Sequence, residues 1–145
     1  DALGPEPLSP TWRAEDLVEA LGGSRSPARS WLLDQRRVAG VGNIYAAEAL
    51  FLAGIDPRTP VRVIDPERGR SLHRAIRDVL QGAIDAGGTT IRDYRNAEGE
   101  MGEYGRKLYV YGRDGAPCHH CGTTIERVVF SNRSAFLCPT CQRGA

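Results

Sequence analysis

Four cysteines near the end of the chain have the spacing of metal ligands. They are the only cysteines in the 145 residues and form two pairs, Cys118 with Cys121 and Cys138 with Cys141. Each pair has two residues between its members, and sixteen residues separate the pairs. Zinc binds four thiolates tetrahedrally at about 2.3 Å, and a C-x2-C turn brings two of them to one metal. The spacing predicts one structural zinc ion per chain, with no ligand position left for a reacting water.

Two disulfides are the alternative pairing, as in small secreted domains. No secretory leader is visible and the cysteines cluster in the last quarter of the chain, which favours the metal. His119 and His120 are alternative ligands, although four thiolates already complete the shell. Zinc would hold together a hairpin too small to fold alone, because metal binding and folding are coupled in such units.

The stretch between the cysteine pairs predicts a β-hairpin that presents Arg133. The segments TIERVVF and SAFLC predict two strands that turn at Ser131-Asn132-Arg133, and LYVYG predicts a further short strand before the cysteines. A guanidinium is shaped for bidentate contacts with phosphate. The hairpin is therefore expected to be a rigid arm with Arg133 near its tip.

The first 88 residues predict four helices, whose apolar stripes form the core. Three start signals place a proline after a capping residue, at Ser9-Pro10, Ser26-Pro27 and Asp65-Pro66. Glycines mark the predicted helix ends, at Gly22-Gly23, Gly54 and Gly87-Gly88. The third helix is predicted from Ile44 to Ala53.

A glycine-containing turn precedes that third helix. Gly40 and Gly42 flank Val41, and Asn43 follows directly. Backbone N–H groups in such a turn, leading into a helix N-terminus, form a phosphate site, although Asn43 has the alternative role of an N-cap. Residues 25–37 carry four arginines and one aspartate, which indicates either a phosphate-binding surface or an ordinary solvated one.

Composition limits the class of protein. Charged residues make up 26% and aromatic residues 7% of the chain, which indicates a folded protein and excludes wholesale disorder. No apolar stretch is long enough to cross a bilayer, so we expect a soluble, cytoplasmic protein. The polar, glycine-dotted segment before LYVYG has no sustained period and predicts a long loop. The predicted division is a helical unit at 1–88, a loop region at 89–107 and a finger at 108–145.

Two long stretches carry a resemblance to a known family. LLDQRRVAGVGNIYAAEALFLAGIDP is similar to the helix-two-turn-helix segment of bacterial formamidopyrimidine-DNA glycosylases. The stretch from GGTTIRDYRN to the last C-x2-C resembles the rest of that family's C-terminal half, and the endonuclease VIII group shares the outline. The resemblance implies a mainly α-helical domain with a helix-two-turn-helix, followed by a small four-cysteine zinc β-hairpin finger.

The resemblance also implies a function in base-excision repair. Family members are bifunctional DNA glycosylases and AP lyases that act on oxidised purines, such as 8-oxoguanine and formamidopyrimidines. They bind damaged double-stranded DNA and flip the base out of the stack, because its target atoms are inaccessible inside the duplex. The resemblance further implies a monomer associated with the bacterial nucleoid.

The resemblance assigns roles to residues that match the family's motifs. Gly42 and Asn43 would bind one phosphate, and Arg133 would bind another and take part in the final elimination. Arg29 stands where the family usually carries lysine, so it and Arg25 would assist DNA binding. The family's lesion-covering loop and the segment next to it correspond to four residues of this chain, Ile91, Arg92, Asp93 and Tyr111.

The family's nucleophile is an N-terminal proline, followed by glutamate, in a separate β-rich domain. This chain begins Asp1-Ala2, and the nitrogen of Pro5 is an internal amide. Lys107, the single lysine, has no evident activating partner. We therefore expect the DNA-binding half of such an enzyme, without the N-terminal catalytic domain and inactive alone. Two alternatives stay open: a stand-alone zinc-containing DNA-binding module and a zinc-stabilised protein-interaction domain.

Overall fold

The computed structural model describes residues 3–85 and 108–143, which form four α-helices and one antiparallel hairpin. The elements are α1 Ala14–Leu21, α2 Ala28–Leu33, α3 Asn43–Ala53, α4 Pro66–Asp85, β1 Glu126–Phe130 and β2 Arg133–Leu137, with a 3-10 turn at Val61–Val63 before α4. This confirms the predicted fold class of a helical domain followed by a four-cysteine hairpin finger. Within these residues, no helix is both long and apolar enough to cross a membrane.

The predicted start and stop signals succeed for α4 and α3 and fail for the start of α1. α4 begins at Pro66, as predicted, and α3 ends at Gly54, whose positive φ of 73° is readily accessible to glycine. The predicted start at Ser9-Pro10 is wrong, because the Ser9 hydroxyl bonds to Thr11 and forms a separate turn. α1 begins at Ala14, where Asp16 accepts a hydrogen bond from the backbone N–H of Arg13 at 2.9 Å.

The main core lies between α3 and the amphipathic helices α1 and α4. α3 is buried nearly all round, as expected for a central helix. α1 and α4 approach closely at Gly69, where an added Cβ would lie 3.0 Å from Cγ2 of Val18. The largest apolar side chains with almost no exposure in this core are Leu17, Leu21, Trp31, Leu32, Leu50, Ile55, Leu72 and Ile76.

A second apolar cluster fastens the hairpin finger to α3. Phe136 of β2 is buried together with Ala47 and Phe51 of α3, alongside Val110 and Ile125. The finger therefore rests on the same helix that organises the main core.

The segment LYVYG is not a strand, contrary to the prediction. The backbone N–H groups of Tyr109, Val110 and Tyr111 all donate to the carboxylate of Glu48, at 2.6, 2.9 and 3.0 Å. Successive N–H groups of a strand point to opposite sides and cannot converge on one acceptor. The Glu48 carboxylate therefore replaces the strand partner that the apolar alternation suggested.

The hairpin turns over two residues, one fewer than predicted. Ser131 and Asn132 have φ of 53° and 62°, the left-handed values of a tight two-residue hairpin turn. Phe130 therefore lies directly opposite Arg133, which is the first residue of β2.

Candidate zinc site and nucleic-acid interface

The four cysteines converge on one point. Their sulfur atoms all lie within 4.8 Å of one another, with 3.9 Å between Cys118 and Cys141 and 3.4 Å between Cys121 and Cys138. Four sulfurs bound to one zinc ion are about 3.8 Å apart, given a Zn–S distance of about 2.3 Å and tetrahedral geometry. The donor set and spacing fit zinc, and the closed shell makes the site structural.

The thiols of the cluster differ in their surroundings. The N–H groups of His120 and Cys141 donate to the sulfurs of Cys118 and Cys138, each at 3.3 Å. A hydrogen bond with Thr123 lowers the pKa of Cys121 to about 6, whereas burial raises the pKa of Cys138 and of Cys141. Metal binding requires deprotonated thiols, so zinc binding would release protons from the two cysteines whose pKa is raised.

The alternatives to a four-thiolate site find no support in the structure. All four cysteines are free, which is contrary to the disulfide pairing. His119 and His120 are exposed and lie outside the cluster of ligand atoms. The ring of His119 instead meets the edge of Tyr109, with 6.4 Å between the centroids.

Arg133 is exposed at the tip of the finger. The two-residue turn fixes its backbone, and the zinc site fixes the other end of the same strand through Cys138. In the described part of the chain Arg133 has no ion-pair partner, so its guanidinium is available to an external anion.

Arg29 is buried, unlike an ordinary solvated arginine. Its side chain is 1% exposed, and its Nη2 donates to the carbonyl oxygen of Phe130 at 2.6 Å. The guanidinium carbon lies 4.3 Å from the centroid of the Phe130 ring. Burial and the nearby charge of Arg133 lower the pKa of Arg29, although a guanidinium stays protonated in proteins. Direct DNA binding by Arg29 stays a prediction.

A side-chain hydrogen bond holds the turn before α3. Gly40 has a φ of 82° and donates its N–H to Oε1 of Gln35 at 2.6 Å, which holds the turn in place. Gly42 is the N-cap of α3 and Asn43 is its first residue, so the N-cap alternative for Asn43 is wrong. Within the described residues the Asn43 side chain has no hydrogen-bond partner.

The fold itself does not require glycine at position 42. Its φ of −94° and ψ of −177° are extended values that any residue adopts, and an added Cβ would meet no protein atom within 4 Å. The open space lies at the N-terminus of an 11-residue helix, where N–H groups lack intrahelical partners. A glycine here suits the close approach of a ligand to the backbone.

The remaining predicted residues have different settings. Arg25 is exposed, whereas Arg36 and Arg37 of the same basic stretch form ion pairs with Asp34. The Tyr111 ring packs edge-on against Phe136, with 5.0 Å between the centroids. The other three predicted loop residues, Ile91, Arg92 and Asp93, lie outside the described residues.

Two buried polar residues that organise the site were not predicted. Glu48 is the only charged residue of α3, and a lone carboxylate on an otherwise apolar helix was the signal that could have revealed it. Gln142 is 2% exposed, accepts from the Cys138 N–H at 2.8 Å and donates to the Ile55 carbonyl at 3.0 Å. It therefore links the second cysteine pair to the loop that follows α3.

Comparison with known proteins identifies the family of this helical and zinc-finger arrangement. Residues 3–95 match the family described as the formamidopyrimidine-DNA glycosylase H2TH domain. The chain belongs to this family. Residues 115–144 match the zinc finger found in FPG and IleRS, which agrees with the four-cysteine cluster and supports one structural zinc ion.

Curated relatives of the chain are about twice its length. The formamidopyrimidine-DNA glycosylase of Rhizorhabdus wittichii is 51% identical over 142 residues, which are 98% of this chain and 52% of the relative. That of Paracoccus denitrificans is 50% identical, over 97% of this chain and 51% of the relative. The chain therefore spans about half the length of these glycosylases.

Solved structures of family members have the same fold. MutM (Fpg) from Thermus thermophilus is 44% identical with a TM-score of 0.88, covering 99% of this chain and 55% of its own. Lactococcus lactis Fpg, solved in complex with DNA containing an abasic site, is 35% identical with a TM-score of 0.87. That comparison covers 98% of this chain and 52% of the Lactococcus protein.

Proposed function

We propose that this chain is the DNA-binding half of a base-excision repair enzyme, a bifunctional DNA glycosylase and AP lyase that acts on oxidised purines. The observation that carries the proposal is that α3 supports both candidate phosphate sites. Asn43 begins the helix, and the finger that presents Arg133 packs on Ala47 and Phe51 of the same helix. The Lactococcus relative bound to abasic-site DNA supports the same partner for this chain.

The two sites would hold the backbone of damaged duplex DNA without reading its sequence. Gly42 and Asn43 offer N–H groups and a side-chain amide to one phosphate, and Arg133 offers a bidentate donor to another. Such contacts position a protein on DNA and carry no base information, which suits an enzyme that searches any sequence. Arg25, which is exposed, would add positive charge.

The covalent chemistry would require residues beyond these 145. The family resemblance implies a secondary amine at a chain terminus, whereas the Pro5 nitrogen lies within a peptide bond. We infer that the 145-residue polypeptide binds DNA as a monomer and does not excise the base. In the complete reaction Arg133 would assist elimination by its charge, because a guanidinium stays protonated in proteins and is a poor acid.

A binding titration tests this function. Labelled duplexes with and without an abasic-site analogue are titrated with the zinc-loaded chain between about 50 and 200 mM salt. We expect affinity that falls steeply with salt and is higher for the abasic duplex. Equal affinity for both duplexes would favour a stand-alone DNA-binding module, and no binding at low salt would favour a protein-interaction domain. Borohydride trapping should yield no covalent adduct, and an adduct would contradict the proposed inactivity.

A further inference from the structure

Arg29 connects α2 to the tip of the zinc finger through a single residue, Phe130. The two residues are 101 positions apart in the chain, yet Nη2 of Arg29 donates to the Phe130 carbonyl and its guanidinium stacks on the Phe130 ring. Each contact fixes a different part of Phe130, since one holds the backbone and the other holds the ring. Together they tie the last residue of β1 to the helical domain.

The position of Phe130 determines the position of Arg133. The two residues form the last pair of the β1–β2 ladder, directly before the turn. Ser131 and Asn132 complete that turn in left-handed conformations, so the tip has few ways to rearrange. A shift of Phe130 would therefore carry Arg133 with it.

The burial of Arg29 separates its role from that of Arg133. With 1% of its surface exposed, Arg29 meets no external phosphate unless Phe130 moves away. Its Nε and Nη1 are inaccessible to solvent and have no acceptor in the described part of the chain, so the carbonyl and the ring of Phe130 compensate its buried charge. The positive charge of Arg29 repels the guanidinium of Arg133, which is exposed.

We propose that Arg29 and Phe130 are a positioning pair, which holds the finger tip so that Arg133 meets a DNA phosphate. The inference rests on the proposed function, because it requires Arg133 to bind DNA. It assigns Arg29 an effect that is exerted through Arg133, and it makes Phe130 a determinant of DNA affinity although the ring carries no charge.

A double-mutant cycle tests the pair. Phe130→Leu keeps an apolar side chain but removes the aromatic ring, whereas Phe130→Tyr keeps the ring. Arg29→Lys keeps the positive charge but removes the planar guanidinium. Val129→Leu is the matched control, since Val129 is the neighbouring residue of β1, is 62% exposed and points to the opposite face. Each change is made with Arg133 present and in an Arg133→Gln background. Affinity for abasic duplex is measured across salt, with zinc content and melting temperature as checks on folding.

With Arg133 present, Phe130→Leu and Arg29→Lys should each lower affinity about 5- to 10-fold. Both should make the slope of log affinity against log salt shallower by up to about 0.9, the contribution of one phosphate. Phe130→Tyr and Val129→Leu should behave as the unchanged protein. In the Arg133→Gln background, Phe130→Leu and Arg29→Lys should have no further effect on affinity or slope.

Several results would overturn the positioning role. One is wild-type affinity and salt slope for Phe130→Leu, and another is an equal loss with and without Arg133. A further loss of slope for Arg29→Lys in the Arg133→Gln background would instead make Arg29 a phosphate ligand in its own right. If the unchanged chain does not bind DNA, both the proposed function and the positioning role are wrong. If it binds DNA but the Phe130 and Arg29 variants do not behave as expected, only the positioning role is wrong.

Discussion

Glu48 of α3 accepts a hydrogen bond from the backbone N–H of Val110, which lies 62 residues further along the chain, at 2.9 Å. Both residues are buried, and the flanking N–H groups of Tyr109 and Tyr111 bind the same carboxylate. Burial raises the pKa of Glu48, and the three N–H groups oppose that shift. A single side chain thus attaches residues 109–111 to the helix that bears Asn43.

Replacing Glu48 by glutamine should destabilise the protein. The amide keeps one acceptor oxygen but places a donor NH2 against a backbone N–H, which leaves buried donors unpaired. Such a group costs about 1–3 kcal/mol, so the melting temperature should fall by several degrees. Thermal unfolding followed by circular dichroism measures the change.

Glu19→Gln is the matched control for this substitution. Glu19 is exposed on α1, and its replacement should change stability by less than about 0.5 kcal/mol. Equal melting temperatures for Glu48→Gln and the unchanged protein would show that the Glu48 carboxylate does not contribute to stability.

Gln142→Ala should loosen the finger from the helical domain. The change leaves the Cys138 N–H and the Ile55 carbonyl without their side-chain partner, both at buried positions. We expect a loss of about 2 kcal/mol in stability and weaker zinc binding, because the Cys138 backbone loses its support. Competition with a chromogenic chelator measures zinc affinity, and Gln81→Ala on the exposed face of α4 should leave it unchanged.

Zinc removal should abolish DNA binding while most of the helical structure persists. The hairpin has only two strands and depends on the four thiolates, whereas the main helical core contains none of these cysteines. Chelation, or Cys118→Ser, should therefore eliminate salt-dependent DNA affinity with a small change in helical circular dichroism. Zinc analysis of the untreated protein should find one ion per chain. Unchanged DNA affinity after complete chelation would contradict a role for the finger.

Asn43→Asp should separate DNA binding from stability. A carboxylate at the first residue of a helix interacts favourably with the helix dipole, by about 0.3–1 kcal/mol, so the protein should remain at least as stable. The same charge would repel a phosphate at this turn, and DNA affinity should fall about 10- to 100-fold. Asn43→Ala should give a smaller loss, because only the amide contact disappears. DNA affinity that is unaffected by aspartate would exclude this turn from the interface.

Local signals account for the features of the fold that were predicted correctly. The metal site follows from the spacing of four cysteines within 24 residues, and the end of α3 follows from Gly54. In both cases the residues that determine the feature lie close together in the sequence. Prediction succeeded where ligand spacing or backbone conformation depends on neighbours in the chain.

A local turn at Ser9 displaced the predicted start of α1, whereas contacts between distant residues account for other features that were predicted wrongly or missed. LYVYG has the alternation of a strand, but its hydrogen-bond acceptor is Glu48 on a helix far earlier in the chain. The residues around Arg29 in the sequence suggest an exposed arginine, but Phe130 covers its guanidinium. Apolar periodicity contains no information on which distant side chain will occupy a given surface. The predicted roles of the loop residues Ile91, Arg92 and Asp93 stay predictions.

The most direct test of a joint phosphate-binding surface follows Asn43 and Arg133 together during one DNA titration. Backbone amide resonances of the zinc-loaded chain are recorded while a duplex with an abasic-site analogue is added. If the turn and the finger hold one DNA backbone, the Asn43 and Arg133 signals should shift in parallel, with one shared dissociation constant that weakens with salt. A shift at only one of the two residues, or two different dissociation constants, would contradict a joint phosphate-binding surface.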